Sequence, residues 1–240
     1  MTHSAPKPPQ DRLIVALDFP DAASALSLTE RLGQTCRWVK VGLELFIAEG
    51  PKIVATLAGR GFNVFLDLKL HDIPNTVAGA VRTASAAGAK LLTLHASGGP
   101  AMLEAAAAAA SGLSGPPQLL AVTVLTSMDL AQLNAVGVPD LPAAQVARLA
   151  SVAWNSGIRG FVCSAEELAS TRASFPESTL VIPGIRPAGA AIGDQKRVAT
   201  PASAIAAGAD FLVVGRPIAQ ATDPAAAAAA ILDDIASATR

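Results

Sequence analysis

The chain has 240 residues, of which 51% are hydrophobic and 15% charged, with 18 basic and 19 acidic side chains and a net charge of −1. This balance excludes the basic surface that nucleic acid needs, argues against an anionic membrane surface as partner, and excludes a disordered chain. Much of the positive mean hydropathy comes from alanine runs at 105–110 and 225–230, and no apolar stretch reaches the roughly 18 residues of a membrane-spanning helix.

The first ten residues are polar and proline-rich, without the apolar segment of a secretory signal. We therefore predict a flexible tail over residues 1–11 and a single domain over 12–240. Cys36 and Cys163 lie far apart in the sequence and match no metal-ligand spacing. This excludes a disulfide framework and fits a reducing compartment, so we expect a cytoplasmic protein.

Short runs rich in Val, Leu and Ile recur along the chain, each followed by a stretch with a helical pattern. The predicted strands are at 13–17, 38–41, 63–68, 91–94, 119–125, 160–163, 180–182 and 211–214. The helices that follow them are predicted at 21–32, 51–60, 75–87, 101–110, 143–155, 165–175, 201–207 and 224–238. Apolar strands that alternate with helices are typical of a parallel sheet buried on both faces.

Eight strand–helix units in a chain of this size predict a single (β/α)₈ TIM barrel of the α/β class. A doubly wound open sheet is the alternative. It is disfavoured because such a sheet usually has fewer strands, and because the first strand–helix turn lacks the G-x-G-x-x-G of a dinucleotide site.

Polar residues follow the predicted strands at the end where barrel enzymes have their active sites. They are Asp18, Lys40, Asp67, Lys69, His95, Ser97, Thr126, Ser127, Arg186, Gly215 and Arg216. Chance placement would scatter such residues over both rims, so this crowding predicts a functional site at one rim.

We interpret His71 and His95 as hydrogen-bonded structural residues rather than catalytic bases.

Four of the charged residues are spaced to form an alternating array. Asp67 and Lys69 occupy alternate strand positions and share a face, Lys40 is on the neighbouring strand, and Asp72 follows three residues after Lys69. An opposite pair at about 4 Å attracts by roughly 4 kcal/mol at an effective dielectric near 20, so we expect all four groups to be ionised. A purely structural ion-pair network and a Mg²⁺ site are the alternatives, although two neighbouring lysines disfavour the metal.

The loops after strands seven and eight predict a phosphate site, since barrels often bind phosphate there. Gly215 lets the backbone approach an anion, and Arg216 beside it carries a planar fork suited to phosphate. The segment from Pro183 through Arg186 to Gln195 is predicted to close over the ligand. The alternative is an ordinary surface loop with a solvated arginine.

The ten residues at 67–76, Asp-Leu-Lys-Leu-His-Asp-Ile-Pro-Asn-Thr, resemble the signature of the orotidine 5′-phosphate decarboxylase family. Segments at 16–18, 40–42, 95–99, 122–127, 183–187, 193–197 and 214–217 resemble the bacterial form in the same order. The resemblance implies conversion of orotidine 5′-monophosphate (OMP) to UMP and CO₂, the last step of de novo pyrimidine synthesis. It also implies that neither a metal nor an organic cofactor is needed.

The resemblance further implies a role for each matching residue. Lys69 would protonate C6, within an array that includes Lys40, and Asp67 and Asp72 would lie near the departing CO₂. Asp72 and Thr76 would come from the partner subunit of a homodimer with shared active sites. The implied substrate contacts are Asp18 and Lys40 to the ribose, Thr126 and Ser127 to the pyrimidine, and Gln195, Gly215 and Arg216 to the phosphate, with Pro183 and Arg186 in the closing loop.

Two other functions remain open. A related Mg²⁺-dependent sugar-phosphate enzyme shares the Asp-x-Lys-x-x-Asp core, although the continuation His-Asp-Ile-Pro-Asn-Thr favours OMP. A regulatory protein that binds nucleotide without catalysis is the other, and the intact charged residues argue against it.

Overall fold

The computed structural model describes residues 7–187 and 199–238. Eight parallel strands, ordered as in the sequence, close into a barrel, with β8 pairing back onto β1. The strands are β1 (Leu13–Leu17), β2 (Trp38–Val41), β3 (Asn63–Leu70), β4 (Ala89–His95), β5 (Gln118–Val122), β6 (Gly160–Val162), β7 (Thr179–Ile182) and β8 (Phe211–Val214). The predicted (β/α)₈ barrel is confirmed, and the open sheet is excluded.

Helices surround the barrel. They are α1 (Ala22–Leu32), α2 (Leu43–Glu49), α3 (Pro51–Gly59), α4 (Pro74–Ala86), α5 (Gly99–Ser111), α6 (Leu130–Ala135), α7 (Pro142–Asn155), α8 (Ala165–Ser174), α9 (Pro201–Ala206), α10 (Arg216–Ala219) and α11 (Pro224–Ser237). Of the helices in the described ranges, none is long and apolar enough to cross a membrane.

The observed secondary structure differs from the predicted one mainly in short helices and in the ends of two strands. The helices α2, α6 and α10, of four to seven residues, are absent from the prediction, whereas the six-residue α9 was predicted as residues 201–207. Strand β5 ends at Val122 rather than at residue 125, and β3 continues to Leu70. Several of the predicted site residues lie at or just beyond the ends of these two strands.

Side chains alternate between the inside of the barrel and the surrounding helices. The interior core consists of Ile14, Ala16, Phe65, Leu91, Leu120, Val181, Phe211 and Val213, with Trp38 and Val162 packed against it. Because the side-chain period of a strand is two, the next inward positions after Ala16, Trp38 and Phe65 are Asp18, Lys40 and Asp67. An apolar core therefore lies directly below a layer of charged residues.

The amino-terminal end of the barrel is covered by residues 7–11 of the segment predicted as a tail. Pro9–Asp11 forms a 3₁₀ turn, and the Lys7 ammonium lies 4.0 Å from the centroid of the Phe211 ring. Phe211 in turn contacts Trp38 edge to face, with ring centroids 5.0 Å apart. Burial lowers the pKa of Lys7. The polar rim and this covered end lie at opposite ends of the barrel.

Candidate active site

A cavity of about 150 Å³ opens at the carboxyl ends of the strands. Lys40, Asp67 and Lys69 form its charged wall. The rest of its lining is mostly apolar and consists of Phe65, Val122, Val124, Leu125, Thr126, Val162, Cys163, Pro183 and Val213. An apolar pocket with a few converging polar groups is the usual form of a small-molecule site.

The charged wall is a continuous chain of alternating charges. Lys69 Nζ lies 2.9 Å from Asp67 Oδ1, and Lys40 Nζ lies 3.9 Å from Asp67 Oδ2. Lys40 Nζ also donates to Asp18 Oδ1 at 2.8 Å. The side chains of Lys40 and Asp67 are only 11% and 15% exposed, so solvent screens their interaction much less than it screens an ordinary surface pair. Within one chain, Asp18 rather than Asp72 provides the second carboxylate of the array.

Gly42 leaves room for the Lys40 ammonium. A Cβ atom at Gly42 would lie 2.9 Å from Lys40 Nζ and 3.4 Å from Asp18 Oδ1. Any side chain at this position would therefore displace the ion pair. Sequence reasoning missed this contribution, although the glycine stands two residues after the lysine, directly beyond the end of β2.

A bulge in β3 brings Asp67 and Lys69 together. Leu66 pairs with Leu92 and Leu70 with Leu94, so four steps along β3 face two steps along β4. Lys69 is the one residue other than glycine in the described ranges with a positive φ, 51°. A positive φ is costly for any residue with a Cβ atom and persists only where the surroundings hold it. The two side chains do meet, but through a bulge rather than through the regular alternation we predicted.

Thr93 on β4 faces the bulge, and sequence reasoning did not select it. Its hydroxyl donates to Asp67 Oδ1 at 3.0 Å and accepts from the Lys69 backbone N–H at 2.9 Å. The sequence signal was present, since Thr93 is the lone hydroxyl in an apolar strand and lies two positions after the inward-facing Leu91.

Asp72 and Thr76 lie away from the array within one chain. Both side chains are exposed, and Asp72 Oδ1 accepts a hydrogen bond from the Ile73 backbone N–H at 2.6 Å. None of the ion pairs found in the described ranges involves Asp72. Ile73 beside it is 67% exposed, which is high for a large apolar side chain.

Of the two residues predicted to bind pyrimidine, one lies on the cavity wall. Thr126 is half-buried and lines the cavity, as does Pro183 after β7. Ser127 is exposed and does not line the cavity. Both Thr126 and Ser127 lie in the segment between β5 and α6, beyond the point where the strand actually ends.

The residues predicted to bind phosphate follow β7 and β8. Gly215 immediately precedes the short helix α10, and the exposed Arg216 is the first residue of that helix. Arg186 donates from its guanidinium to its neighbour's carbonyl, Ile185 O, at 2.9 Å. Burial, and to a lesser extent the positive charge of Arg216, lowers the pKa of Arg186. Gln195 lies outside the described residues.

The histidines near the array are a pair. The rings of His71 and His95 have centroids 5.5 Å apart. Burial lowers the pKa of His95, and the neighbouring His71 and Lys69 act in the same direction. A neutral His95 agrees with a structural role, which remains a prediction.

The described ranges contain no group of three or more His, Cys, Asp or Glu residues arranged to hold a metal ion. Asp67 instead lies between two ammonium groups. The arrangement can stabilise negative charge that develops in the cavity, and Lys69 can supply a proton there.

Comparisons with known proteins agree with this geometry. Residues 11–231 match the model of the orotidine 5′-phosphate decarboxylase / HUMPS family. The chain is 56% identical over 236 residues to the orotidine 5′-phosphate decarboxylase of Halorhodospira halophila, covering 98% of this chain and 99% of that protein. It is also 56% identical to the enzyme of the same name from Anaeromyxobacter sp., covering 93% and 97% of the two chains.

A solved structure gives the same result. The crystal structure of orotidine 5′-phosphate decarboxylase from Lactobacillus acidophilus superimposes with a TM-score of 0.83 at 38% identity, over 94% of this chain and 99% of that one. Family model, sequence identity and fold therefore agree over nearly the whole length. The chain belongs to the orotidine 5′-phosphate decarboxylase family of carboxy-lyases.

Proposed function

We propose that this protein converts OMP to UMP and CO₂, without a metal or organic cofactor, as the last step of de novo pyrimidine synthesis in the cytoplasm. The observation that carries the proposal is the Lys69 ammonium, held 2.9 Å from Asp67 in a partly buried array at the mouth of the barrel. Membership of the family supports the choice of substrate.

The proposed reaction breaks the bond between C6 of the pyrimidine and the carboxylate carbon. The electron pair stays on C6, which has no adjacent group to delocalise it, and CO₂ leaves. The Lys69 ammonium stabilises this charge and then donates its proton to C6, which leaves a neutral amine that regains a proton from solvent. A fixed ammonium is effective because it needs no reorganisation as the charge develops.

Asp67 and Lys40 complete the proposed mechanism. Asp67 holds the ammonium in place and lies near the substrate carboxylate, so that their repulsion is relieved as CO₂ departs. Lys40 and Asp18, joined at 2.8 Å, are positioned to bind ribose hydroxyls. Enzymes lower barriers by about 8–23 kcal/mol, which is more than one ion pair supplies, so binding of the remote phosphate must contribute as well.

The other proposed contacts, to the pyrimidine and to the phosphate, come from the segments that follow β5, β7 and β8. Thr126 and Ser127 are proposed to bind the pyrimidine edge, while Pro183 lies against the ring. Gly215, Arg216, Arg186 and Gln195 are proposed to bind the phosphate. The short helix α10 after β8 supports this assignment, because barrels commonly build phosphate sites from the loops after strands seven and eight and an extra helix.

We further propose a homodimer in which Asp72 and Thr76 of each chain enter the active site of the other. The exposure of both side chains supports this, as does the exposed Ile73 between them, because a large apolar residue gains by burial against a partner. Asp72 would then add a second carboxylate beside Lys69 and complete the predicted array.

The test is to incubate the purified protein with OMP in EDTA, and to follow the loss of orotate absorbance together with UMP and CO₂. We expect equal amounts of both products. Binding of UMP without turnover would contradict the proposal and favour a regulatory protein. Activity only on a keto-hexulose phosphate with Mg²⁺ would favour the sugar-phosphate alternative.

A further inference from the structure

We propose that Thr93 is a positioning residue that holds both the backbone and the ammonium of Lys69 in their reactive arrangement. The inference rests on the proposed function, since it assigns a role in that reaction. Thr93 does not line the cavity, so it acts through Asp67 and Lys69 and not on the substrate.

The bulge in β3 creates the need for such a residue. Where four steps of β3 face two steps of β4, the regular ladder cannot pair every backbone group. The Lys69 N–H lies in this gap, and the Thr93 hydroxyl accepts its hydrogen bond at 2.9 Å. A side chain thus replaces the missing ladder partner, at the one described non-glycine residue with a positive φ.

The same hydroxyl also reaches the ion pair. Thr93 Oγ1 donates to Asp67 Oδ1 at 3.0 Å, and that oxygen is the one that accepts from Lys69 Nζ at 2.9 Å. Thr93 therefore fixes Lys69 at two points, directly at its backbone and through Asp67 at its ammonium. Because Thr93 is 0% exposed, water does not readily take over either bond if the hydroxyl is removed.

Thr123 offers a matched control at the end of the neighbouring strand β5. It is the same residue type and is 5% exposed, but its hydroxyl has no hydrogen-bond partner within the described part of the chain. A threonine-to-valine change keeps the side-chain shape and removes the hydroxyl at both positions. Only the change at Thr93 removes hydrogen bonds to the charged array.

The experiment compares Thr93→Val, Thr93→Ser and Thr123→Val with the unmodified protein, measuring kcat and KM for OMP, the Kd of UMP, and Tm. We expect Thr93→Val to lower kcat by about 100-fold, because a small misplacement of reacting groups has an effect of this size, while KM and the Kd of UMP change little. Thr93→Ser keeps the hydroxyl and should restore most of the activity. Thr123→Val should retain the unmodified kcat.

Three results would overturn the assignment: an unchanged kcat in Thr93→Val, an equal loss in Thr93→Ser, or an equal loss in Thr123→Val. If Thr93→Val does not fold, Thr93→Ala is compared with Thr93→Ser, and equal kcat values for these two would also overturn it. An unmodified protein that folds but does not convert OMP would instead overturn the proposed function, and this role with it.

Discussion

Within the described part of the chain, the two sides of the cavity differ in the charged groups that they carry. On the β1–β3 side, Asp18, Lys40, Asp67 and Lys69 already contact one another in an alternating chain. On the β7–β8 side, Arg186 donates to a neighbouring carbonyl. A preassembled charge array stabilises charge at the reacting carbon, whereas contacts to the remote phosphate form on substrate binding as well as in the transition state, so their loss raises KM. Substitutions on the two sides should therefore change different kinetic constants.

The largest effect is expected from Lys69→Ala on the preassembled side. It removes both the stabilising charge and the proton donor, so kcat should fall by at least about 10³-fold. The Kd of UMP, measured by calorimetry, should change far less. Lys90→Ala serves as the control, because Lys90 is exposed and is the second residue of β4, at the amino-terminal end of that strand. A Lys69→Ala protein that keeps its kcat would show that this amine is not the acid.

In the proposed homodimer, Asp72 of the second chain completes the charged array on the β1–β3 side. Lys69→Ala and Asp72→Asn should each be inactive alone. Random mixing makes half of the dimers hybrid, each with one native site of two, so activity should return to about a quarter of the unmodified value. The measurement is OMP turnover after mixing and subunit exchange. Mixtures that stay inactive, although hybrids form, would place Asp72 in its own chain's site. An Asp72→Asn protein that is active alone would place Asp72 outside the site.

Substitutions on the β7–β8 side, where the phosphate is proposed to bind, should raise KM for OMP. Arg216→Ala removes a charged hydrogen-bond donor, worth about 1.5–3 kcal/mol, so KM for OMP should rise by roughly 10-fold to 150-fold. Orotidine, which lacks the phosphate, should be converted equally slowly by Arg216→Ala and by the unmodified protein. If the substitution slows the two substrates by the same factor, Arg216 does not bind the phosphate.

The smallest effect concerns stability near the array. The pKa of His95 lies below its ordinary 6.5, mainly because of burial, so the unfolded chain binds the proton more readily. The contribution of His95 is therefore complete above pH 6.5 and is lost as the pH falls from there towards the folded-state pKa. His95→Gln should flatten the decline of the unfolding free energy between pH 7.5 and 5.5, as measured by urea denaturation. An unchanged slope would contradict this, and His71→Gln provides the comparison.

The sequence predicted most of the barrel because its strands and longer helices carry clear periods. The short helices α2, α6 and α10 were not predicted, whereas α9, which is no longer than α2, was. Strand β5 was predicted too long because residues 123–125, Thr-Val-Leu, continue a run of β-branched and apolar residues after the pairing with β6 has ended.

The site was predicted in part. The positions of Lys40 and Asp67 at the ends of their predicted strands were enough to place both at one rim. The alternation of strand side chains could also have identified Thr93. The bulge in β3 could not be predicted, because it depends on the register between β3 and β4, which is a tertiary property. The pairing of Asp18 with Lys40 was missed because it depends on the register between β1 and β2, which is also a tertiary property.

The most direct test of the central claim, that the chain's own charged residues carry out the decarboxylation, is the kcat of metal-stripped protein. The protein is dialysed against EDTA and assayed with OMP, before and after an excess of Mg²⁺ is added. The account predicts the same kcat in both conditions. Turnover that appears only after Mg²⁺ is added would contradict it.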